Sequence, residues 1–282
     1  MIDWENLHYF SVFAQEKSLS AAARKLGVDH ATVGRRIGLL EQGLALKLVD
    51  RRARNYVLTT DGEKIAAVAL RMMEETFAIG RLAKAGQQQI MGEVSMSLPP
   101  ATAAHFIVPK LARLRQQYPK IHIRVVVETR FASLQHSEAD IAVRLARPVE
   151  EDLVGRKVGI MPFDLYASAD YLALTLPEHY AFIALDESLN NSIQQRWLRD
   201  IIGSREVVLK TNSPEMQRVA ARAGVGVAIL PAFMGEQDGL FAVPHPFERM
   251  QREIWLAVHQ DLRHNPAIRV VMDFLVQCFE GE

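Results

Sequence analysis

Basic side chains are concentrated in one short segment of an otherwise neutral chain. The 282 residues include 33 lysines and arginines and 33 aspartates and glutamates, so the formal net charge is zero. Between residues 17 and 54, however, nine bases accompany only three acids, which leaves six net positive charges. Guanidinium and ammonium groups at this density bind phosphate oxygens, and an arginine can also donate to the edge of a guanine. The segment is therefore a candidate surface for nucleic acid.

Two short helices joined by a tight turn are predicted to position these side chains. The first helix is expected to end at Gly27, and Asp29 can cap a second helix that begins at His30. Apolar residues at helical spacing within 33–40 form the inward face of the second helix. This is the layout of a helix-turn-helix, whose second helix presents its N-terminal side chains to a DNA groove. The residues expected to contact base edges are His30, Thr32 and Arg35.

A basic hairpin follows the second helix. Leu46, Leu48 and Val49 are expected to form one strand, and residues 56–58 the returning strand. A charged turn is usually only solvated, but its position beside a helix-turn-helix favours contact with phosphates or with the minor groove, as in a wing. The arginines expected to make such contacts are Arg36 in the helix and Arg51, Arg52 and Arg54 in the turn.

A long helix is predicted from Thr60 to about Gln89, which corresponds to roughly 40 Å. Thr60 and Glu63 have the spacing of a capping box. A narrow apolar stripe with alternating steps of four and three residues is typical of a seam between two helices, and it favours a helix that joins two subunits. The alternative is a linker helix within one chain. The stripe consists of Ile65, Ala69, Met72, Thr76, Ile79 and Ala83.

Alternating strands and helices are predicted from Gly92 onward, which is typical of an α/β domain, here with room for two lobes. The expected strands are 94–98, 121–127, 140–144, 165–167, 182–184, 207–209, 227–230 and 254–258, and the expected helices include 102–118 and 266–279.

Several function classes lack the residues that they need. The sequence has no Gly-x-Ser-x-Gly elbow, no phosphate loop and no HExxH pair, so we expect no enzyme activity, no metal and no cofactor. The single cysteine, Cys278, is expected to be a packed thiol in a reducing compartment. Because no signal peptide or long apolar segment is evident, we expect a cytoplasmic protein without membrane contact.

Residues in both halves of the chain match one known family. The matches in the first half are Phe10, Ala22, Ala23, Leu26, Val33, Arg35, Ile37, Leu40, Glu41, Leu44, Leu48, Arg51, Arg54, Leu58, Thr59 and Gly62. Those in the second half are Pro109, Leu114, Pro119, 139–144, 165–167, Tyr171, Leu172, 224–231 and Arg269. On these residues, the chain resembles the LysR-type bacterial transcriptional regulators along its whole length.

The resemblance implies a regulator that binds double-stranded DNA and responds to a small-molecule effector. Its implied fold is a winged helix-turn-helix, a dimerising linker helix and a sensor of the type II periplasmic-binding-protein fold, with two lobes joined by two crossing strands. It further implies homotetramers built from two dimers, and contact with RNA polymerase. The alternatives are an enzyme or solute receptor of the periplasmic-binding-protein fold with an incidental helical domain, or a regulator that no longer senses an effector.

The predicted domains follow this architecture. Residues 1–60 form the winged helix-turn-helix, 61–90 the linker and dimerisation helix, and 91–282 the effector-binding domain. Within the effector-binding domain, residues 91–162 and 266–282 form lobe one, and residues 163–265 form lobe two.

Effector contacts are expected where strands end at the cleft. One group is Pro100, Ala101 and Thr102, which begin a helix whose N–H groups favour an anion such as a carboxylate. Asn212 and Ser213 begin another helix, although Ser213 can equally serve only as its cap. The remaining candidates are Thr129, Arg130 and Arg144 at strand ends, with Phe163 and Val225 at the walls. A purely structural ion pair of Arg144 with Asp140 or Glu128 is equally open.

Three positions depart from the family pattern. Gly34 stands where serine is usual, Ala45 where glycine is usual and Val49 where phenylalanine is usual. Glycine inside a helix lowers its stability by about 1 kcal/mol relative to alanine. We interpret these departures as changes in DNA affinity or sequence preference.

Overall fold

The computed structural model describes residues 2–50, 56–127, 134, 138–236 and 239–280. The chain folds into two compact units, Met1–Leu82 and Ala83–Glu282. The first unit contains α1 (Trp4–Glu16), α2 (Leu19–Leu26), α3 (His30–Leu44), β1 (Val49–Asp50), β2 (Val57–Leu58) and most of α4 (Thr60–Ala85).

Short polar side chains determine where the first helices begin. The Ser18 hydroxyl accepts the N–H of Ala21 at the start of α2, and an Asp29 carboxylate oxygen lies 2.6 Å from the Thr32 nitrogen at the start of α3. Gly27 ends α2 with a φ of 67°, in the left-handed region. The predicted end of the first helix at Gly27 and the predicted cap and start of the second helix, Asp29 and His30, are confirmed.

One apolar core holds the first unit together. Its fully buried side chains include Phe10 and Phe13 of α1, Val33 and Ile37 of α3, and Leu48 before β1. The first turns of α4 close this core with the buried residues Ala66, Ala69 and Met73.

Predictions for the hairpin and for α4 need correction. The strand β1 covers only Val49–Asp50, and Leu46 is exposed outside it because the chain is still leaving α3. The cap of α4 is Thr59 and not Thr60, since the Thr59 hydroxyl accepts the N–H of Gly62 at 2.9 Å. The helix ends at Ala85, four residues before the predicted end.

The apolar stripe on α4 is also divided differently from the prediction. Ala69 is buried in the core of the first unit, and Ile65 packs against that core. Met72 and Ile79 remain exposed, by 42% and 68%. The residues of the stripe therefore pack into the core near the start of the helix and are exposed to solvent further along.

The second unit is an α/β domain that contains β3 (Gly92–Leu98), α5 (Pro100–Thr102), α6 (Leu111–Gln117), β4 (Ile121–Val127), β5 (Ile141–Arg144), β6 (Leu153–Ser168), α7 (Ala169–Leu174), β7 (Phe182–Ala184), α8 (Ile193–Ile202), β8 (Val207–Lys210), α9 (Pro214–Arg222), β9 (Val227–Pro231), α10 (Ala232–Gly235), β10 (Leu240–Ala242), β11 (Met250–His259) and α11 (Pro266–Phe279).

Two long antiparallel strands connect two groups of parallel strands. The sheet order is β4-β3-β5-β11-β6-β9-β7-β8, with β10 paired to β6. Strand β3 pairs in parallel with β4 and β5, and β7 pairs in parallel with β8 and β9. The central strands β6 and β11 pair over a long register, from Leu153 opposite His259 to Phe163 opposite Met250. This is the arrangement of two lobes joined by two crossing strands.

The predicted helix 102–118 is interrupted. It begins at Pro100, continues as a π-helical turn over Ala103–Ile107 and a 3₁₀ turn over Val108–Lys110, and becomes α-helical again only in α6. Pro109 explains the break, because it has no N–H to donate and its ring crowds the preceding turn.

The strand β10 and the first half of β6 are not predicted from the sequence. Exposed charged residues such as Arg156 and Lys157 interrupt the apolar alternation of β6. Its strand conformation is stabilised instead by backbone pairing with β11.

Tight packing explains the glycines of segment 224–231. Gly224 has a φ of 77°, and a Cβ on Gly226 would lie 2.6 Å from the Ala181 carbonyl oxygen.

Cys278 is fully buried, and burial raises the pKa of its thiol to about 11, as expected for a packed residue.

No helix in the described ranges is both long and apolar enough to span a bilayer. The same residues hold no group of three or more His, Cys, Asp and Glu side chains suited to a metal ion.

Candidate DNA-binding surface and effector cavity

The N-terminal turn of α3 presents polar side chains to solvent. His30 and Arg35 are exposed and Thr32 is half-buried. The Thr32 hydroxyl lies 3.1 Å from a carboxylate oxygen of Asp29, which leaves its lone pairs able to accept from a base. The N–H and hydroxyl of Thr32 hold the pKa of the Asp29 carboxyl below its usual value. The three predicted base-contacting residues thus lie within six positions of the helix start.

A shallow concavity of about 520 Å³ runs along this face of α3. Its lining includes His30 and Arg35, together with Gly34, Gly38 and Tyr56. No heavy atom beyond the helix backbone lies within 4 Å of a Cβ built on Gly34. The usual serine would therefore fit without displacing any neighbour, and its loss removes a hydroxyl from the surface and leaves the packing unchanged.

Arg36 is oriented differently from Arg35. Its Nη2 lies 2.6 Å from Glu5 Oε1, its Nη1 lies 3.3 Å from Asn6 Oδ1, and its guanidinium carbon lies 5.5 Å from the centre of the Tyr9 ring. These contacts connect α3 to α1. The other predicted phosphate contacts, Arg51, Arg52 and Arg54, lie outside the described residues.

A buried carboxylate joins α3 to the hairpin. Glu41 is 3% exposed, and its Oε1 accepts the N–H groups of Leu48 at 2.9 Å and Val49 at 3.1 Å. Burial opposes ionisation, but these hydrogen bonds and the Lys47 ammonium outweigh it, so the pKa of Glu41 lies below its usual value. Sequence reasoning assigned Glu41 no role, although an acid at an inward-facing helical position was the available signal.

The second unit contains a cavity of about 480 Å³ beside its crossing strands. Most of the predicted effector residues that the structure describes line it, namely Pro100, Ala101, Thr102, Arg144, Phe163 and Asn212. Thr129 and Arg130 lie outside the described residues.

Two predicted residues do not line the cavity. The Ser213 hydroxyl accepts the N–H of Met216 at 3.3 Å and so caps α9, as the alternative interpretation held. Val225 follows the end of α9, is 42% exposed and does not belong to the residues that line this cavity. The left-handed turn at Gly224 redirects the chain there before β9 begins.

Arg144 is anchored to the neighbouring strand β3. Its Nη1 lies 3.0 Å from the Ser97 carbonyl oxygen and 3.3 Å from the Ser97 hydroxyl. Asp140, one of its predicted partners, instead accepts a hydrogen bond from the Lys84 ammonium at 2.7 Å. It also accepts hydrogen bonds from the backbone N–H and the hydroxyl of Ser95. Glu128 lies outside the described residues.

The cavity contains polar groups that sequence reasoning missed. Arg252 of β11 donates from Nε to the Leu145 carbonyl oxygen at 2.9 Å and from Nη1 to Gln194 Oε1 at 2.8 Å. Gln217 of α9 is 1% exposed, and its Nε2 has no hydrogen-bond partner among the described residues. A glutamine on the apolar face of α9 was the only signal for it in the sequence. The other polar residues that line the cavity are Ser188, Asn191, Ser192 and Gln194.

Family models match both units of the chain. Residues 4–63 match the bacterial regulatory helix-turn-helix protein of the lysR family, and residues 87–279 match the LysR substrate binding domain.

Relatives match over nearly the full length. The Mau operon transcriptional activator of Paracoccus denitrificans is 26% identical over 284 residues, which cover 99% of this chain and 97% of that protein. The HTH-type transcriptional regulator DmlR of Escherichia coli K12 is 28% identical over 289 residues, covering 97% and 94%.

Solved structures show the same fold. Full-length AphB, a Vibrio cholerae virulence activator, superposes with a TM-score of 0.66 at 22% identity, covering 98% of this chain and 99% of that one. CrgA of Neisseria meningitidis gives a TM-score of 0.59 at 23% identity over the same shares of the two chains. The chain therefore belongs to the LysR family of transcriptional regulators, with a helix-turn-helix DNA-binding domain followed by an effector-binding domain, and it is not an enzyme.

Proposed function

We propose that this regulator binds a two-fold symmetric DNA site as a dimer and that a small carboxylate in the cavity of the second unit modulates this binding. The observation that carries the DNA half is the exposed N-terminal turn of α3, with its charged and hydrogen-bonding side chains. His30, Thr32 and Arg35 contact base edges. Arg51, Arg52 and Arg54 contact phosphates or the minor groove, as the positive charge of their segment favours.

Arg36 has a supporting role in this proposal. Its contacts with Glu5 and Tyr9 fix the orientation of α3 on α1. A phosphate contact by Arg36, as predicted from the sequence, would require it to give up or share the Glu5 carboxylate.

The dimer forms through α4. Its exposed apolar residues Val68, Met72, Ile79 and Leu82 are 45%, 42%, 68% and 61% exposed and fall on the a and d positions of one heptad repeat. Burial of such a stripe against a second copy is the simplest way to remove it from water. Two dimers then form a tetramer, and the bound DNA presents the assembly to RNA polymerase.

The domain boundaries proposed are residues 1–60, 61–90 and 91–282, with lobe one at 91–162 and 266–282 and lobe two at 163–265. The effector occupies the cavity that Pro100, Thr102 and Arg144 help to line, and the hydrogen-bond donors of this cavity favour a carboxylate. Because the DNA partner of a bacterial regulator lies in the cytoplasm, we place the protein there.

Selection of bound sequences from random double-stranded DNA tests the DNA half. We expect an interrupted site with two-fold symmetry, whose half-sites are separated by about one helical turn. Arg35→Met should relax the preference at one base pair in each half-site by about 1–3 kcal/mol. Arg156→Met, a charge-matched change of an exposed residue in the second unit, should leave the site unchanged. Selection of no common sequence by the unaltered protein would overturn the proposal.

A further inference from the structure

Gln217 carries a buried amide that donates to no other residue in the described part of the chain. It lies on α9 with 1% of its surface exposed, and it lines the cavity of the second unit. Its Nε2 has no partner among the residues that the structure describes. A buried amide that donates to nothing lowers the stability of the fold, so such a group is normally satisfied by a residue, a water or a ligand.

Arg252 contributes a charge to the same cavity. Its two hydrogen bonds go to neutral acceptors, the Leu145 carbonyl and the Gln194 side chain. No carboxylate lies within ion-pairing distance of its guanidinium in the described part of the chain. Burial lowers its pKa, because low-dielectric surroundings disfavour the cation. An anionic group beside this guanidinium would relieve that penalty.

The walls between these polar groups are apolar. Met161, Phe163, Leu185, Ile229 and Phe233 all line the cavity. A volume of about 480 Å³ lies within the usual range of small-molecule sites and has room for a ring or a branched chain beside a carboxylate.

We propose that Arg252 and Gln217 are the specificity-determining residues of this cavity, and that they select a carboxylic acid with an apolar ring or branched chain. The carboxylate pairs with the Arg252 guanidinium and accepts from Gln217 Nε2, while the apolar body packs against the walls. The inference rests on the proposed effector site and assigns its ligand class to two residues that sequence reasoning did not identify.

Titration calorimetry of the full chain tests this pairing. The probes are benzoate, phenylacetate and 3-methylbutanoate, each with its primary amide as a neutral counterpart of the same shape, and acetate and succinate as acids without an apolar body. We expect at least one of the three apolar acids to bind, and to bind more tightly than its amide and than acetate or succinate.

Variants separate recognition from support of the fold. Arg252→Met should weaken binding of the acid by about 10- to 100-fold, and Arg252→Lys, which keeps the charge, should restore part of the loss. Gln217→Leu should weaken binding by about 5- to 10-fold and yet leave the ligand-free melting temperature unchanged or higher, because it removes an unsatisfied buried amide. Arg156→Met is the control and should bind as the unaltered protein does.

Several outcomes would overturn the inference: amides that bind as tightly as their acids, a preference for succinate, no binding by any apolar acid, or full affinity in Arg252→Met. A lower ligand-free melting temperature in Gln217→Leu would also contradict it, because Gln217 would then be a structural residue. Specific DNA binding by the same preparation without ligand tests the proposed function separately, so failure of one does not imply failure of the other.

Discussion

Gly62 is predicted to be the least replaceable residue of the DNA-binding unit. It lies in the first turn of α4, where a Cβ would approach the Leu48 carbonyl oxygen to 2.0 Å. That oxygen also accepts the N–H of Thr59 at 2.9 Å, so it is fixed between the hairpin and α4. Gly62→Ala must therefore separate Leu48 from α4 by about 1 Å, since a Cβ essentially never lies within 3.0 Å of a non-bonded heavy atom.

The expected loss follows from these contacts. Overpacking costs about 1–3 kcal/mol, and loss of the buried Thr59–Leu48 hydrogen bond adds about 1–3 kcal/mol. The higher helix propensity of alanine offsets about 1 kcal/mol of this loss of stability. The free energy of unfolding should therefore fall by about 1–5 kcal/mol. Because Leu48 leads into β1, the displacement should also move the hairpin relative to α3 and weaken DNA binding.

A second glycine of the same helix provides the control. No heavy atom beyond the helix backbone lies within 4 Å of a Cβ built on Gly80, so Gly80→Ala should raise the free energy of unfolding by up to about 1 kcal/mol. Both variants would be compared by urea titration with circular dichroism and by fluorescence polarisation with labelled DNA. Stability of Gly62→Ala within about 0.5 kcal/mol of the unaltered protein, with unchanged DNA affinity, would refute the packing argument.

Four further predictions concern single residues. Hydrogen bonds keep the pKa of Glu41 below its usual value of 4.5, so its carboxylate stabilises the fold above that pH. In urea titrations, the free energy of unfolding of the unaltered protein should exceed that of Glu41→Gln by a constant amount near neutrality, and this difference should shrink as the pH falls below about 4.5. A difference that does not change with pH would contradict this. Arg36→Met should lower the free energy of unfolding by about 0.5–1 kcal/mol without changing the selected DNA sequence; a changed base preference would instead assign Arg36 to base contact. Ile79→Glu should dissociate the dimer, as measured by sedimentation velocity. Ala67→Glu, at an exposed position outside the heptad seam, should leave the dimer intact. Dimers in both variants would exclude α4 as the interface. Ala45 has a φ of 52°, so Ala45→Gly should raise the melting temperature and increase the free energy of unfolding by about 0.5–1 kcal/mol. A lower melting temperature would show that the turn is unstrained.

Local signals allowed the helix-turn-helix to be predicted almost to the residue. Asp29 caps α3 through an N–H three residues away, and Gly27 ends α2 by its own backbone conformation. Such signals lie within one turn of the helix that they begin or end. Ala45 is another local signal. The family usually has glycine at this position, and the backbone here adopts the left-handed conformation that favours glycine.

The stripe on α4 shows where periodicity is insufficient. Ala69 and Met72 have the same apolar character and lie on one side of the helix, yet one is buried in the core and the other is exposed. Helical spacing identifies an apolar face but not what covers it. The bounds of α3, the hairpin and the first turn of α4 decide that division.

The cavity depends on contacts that are distant in sequence. Arg252 reaches Leu145 and Gln194 because β11 crosses beside β5, and no sequence spacing relates these three positions. The same reasoning applies to Val225: its apolar side chain indicated a cavity wall, but it follows the turn at Gly224 and does not line the cavity. The general rule for strand ends pointed to residues that line this cavity, but only the assembled sheet identifies the other side chains around it.

Footprinting on the DNA upstream of the gene tests the central claim most directly. The purified protein would be tested at several salt concentrations, with and without the apolar carboxylates and their amides. We expect protection of an interrupted two-fold site, and a change in the length or spacing of that protection with at least one acid but with none of the amides. Absence of protection even at low salt, or protection that no carboxylate alters while an amide does, would contradict the proposed regulation.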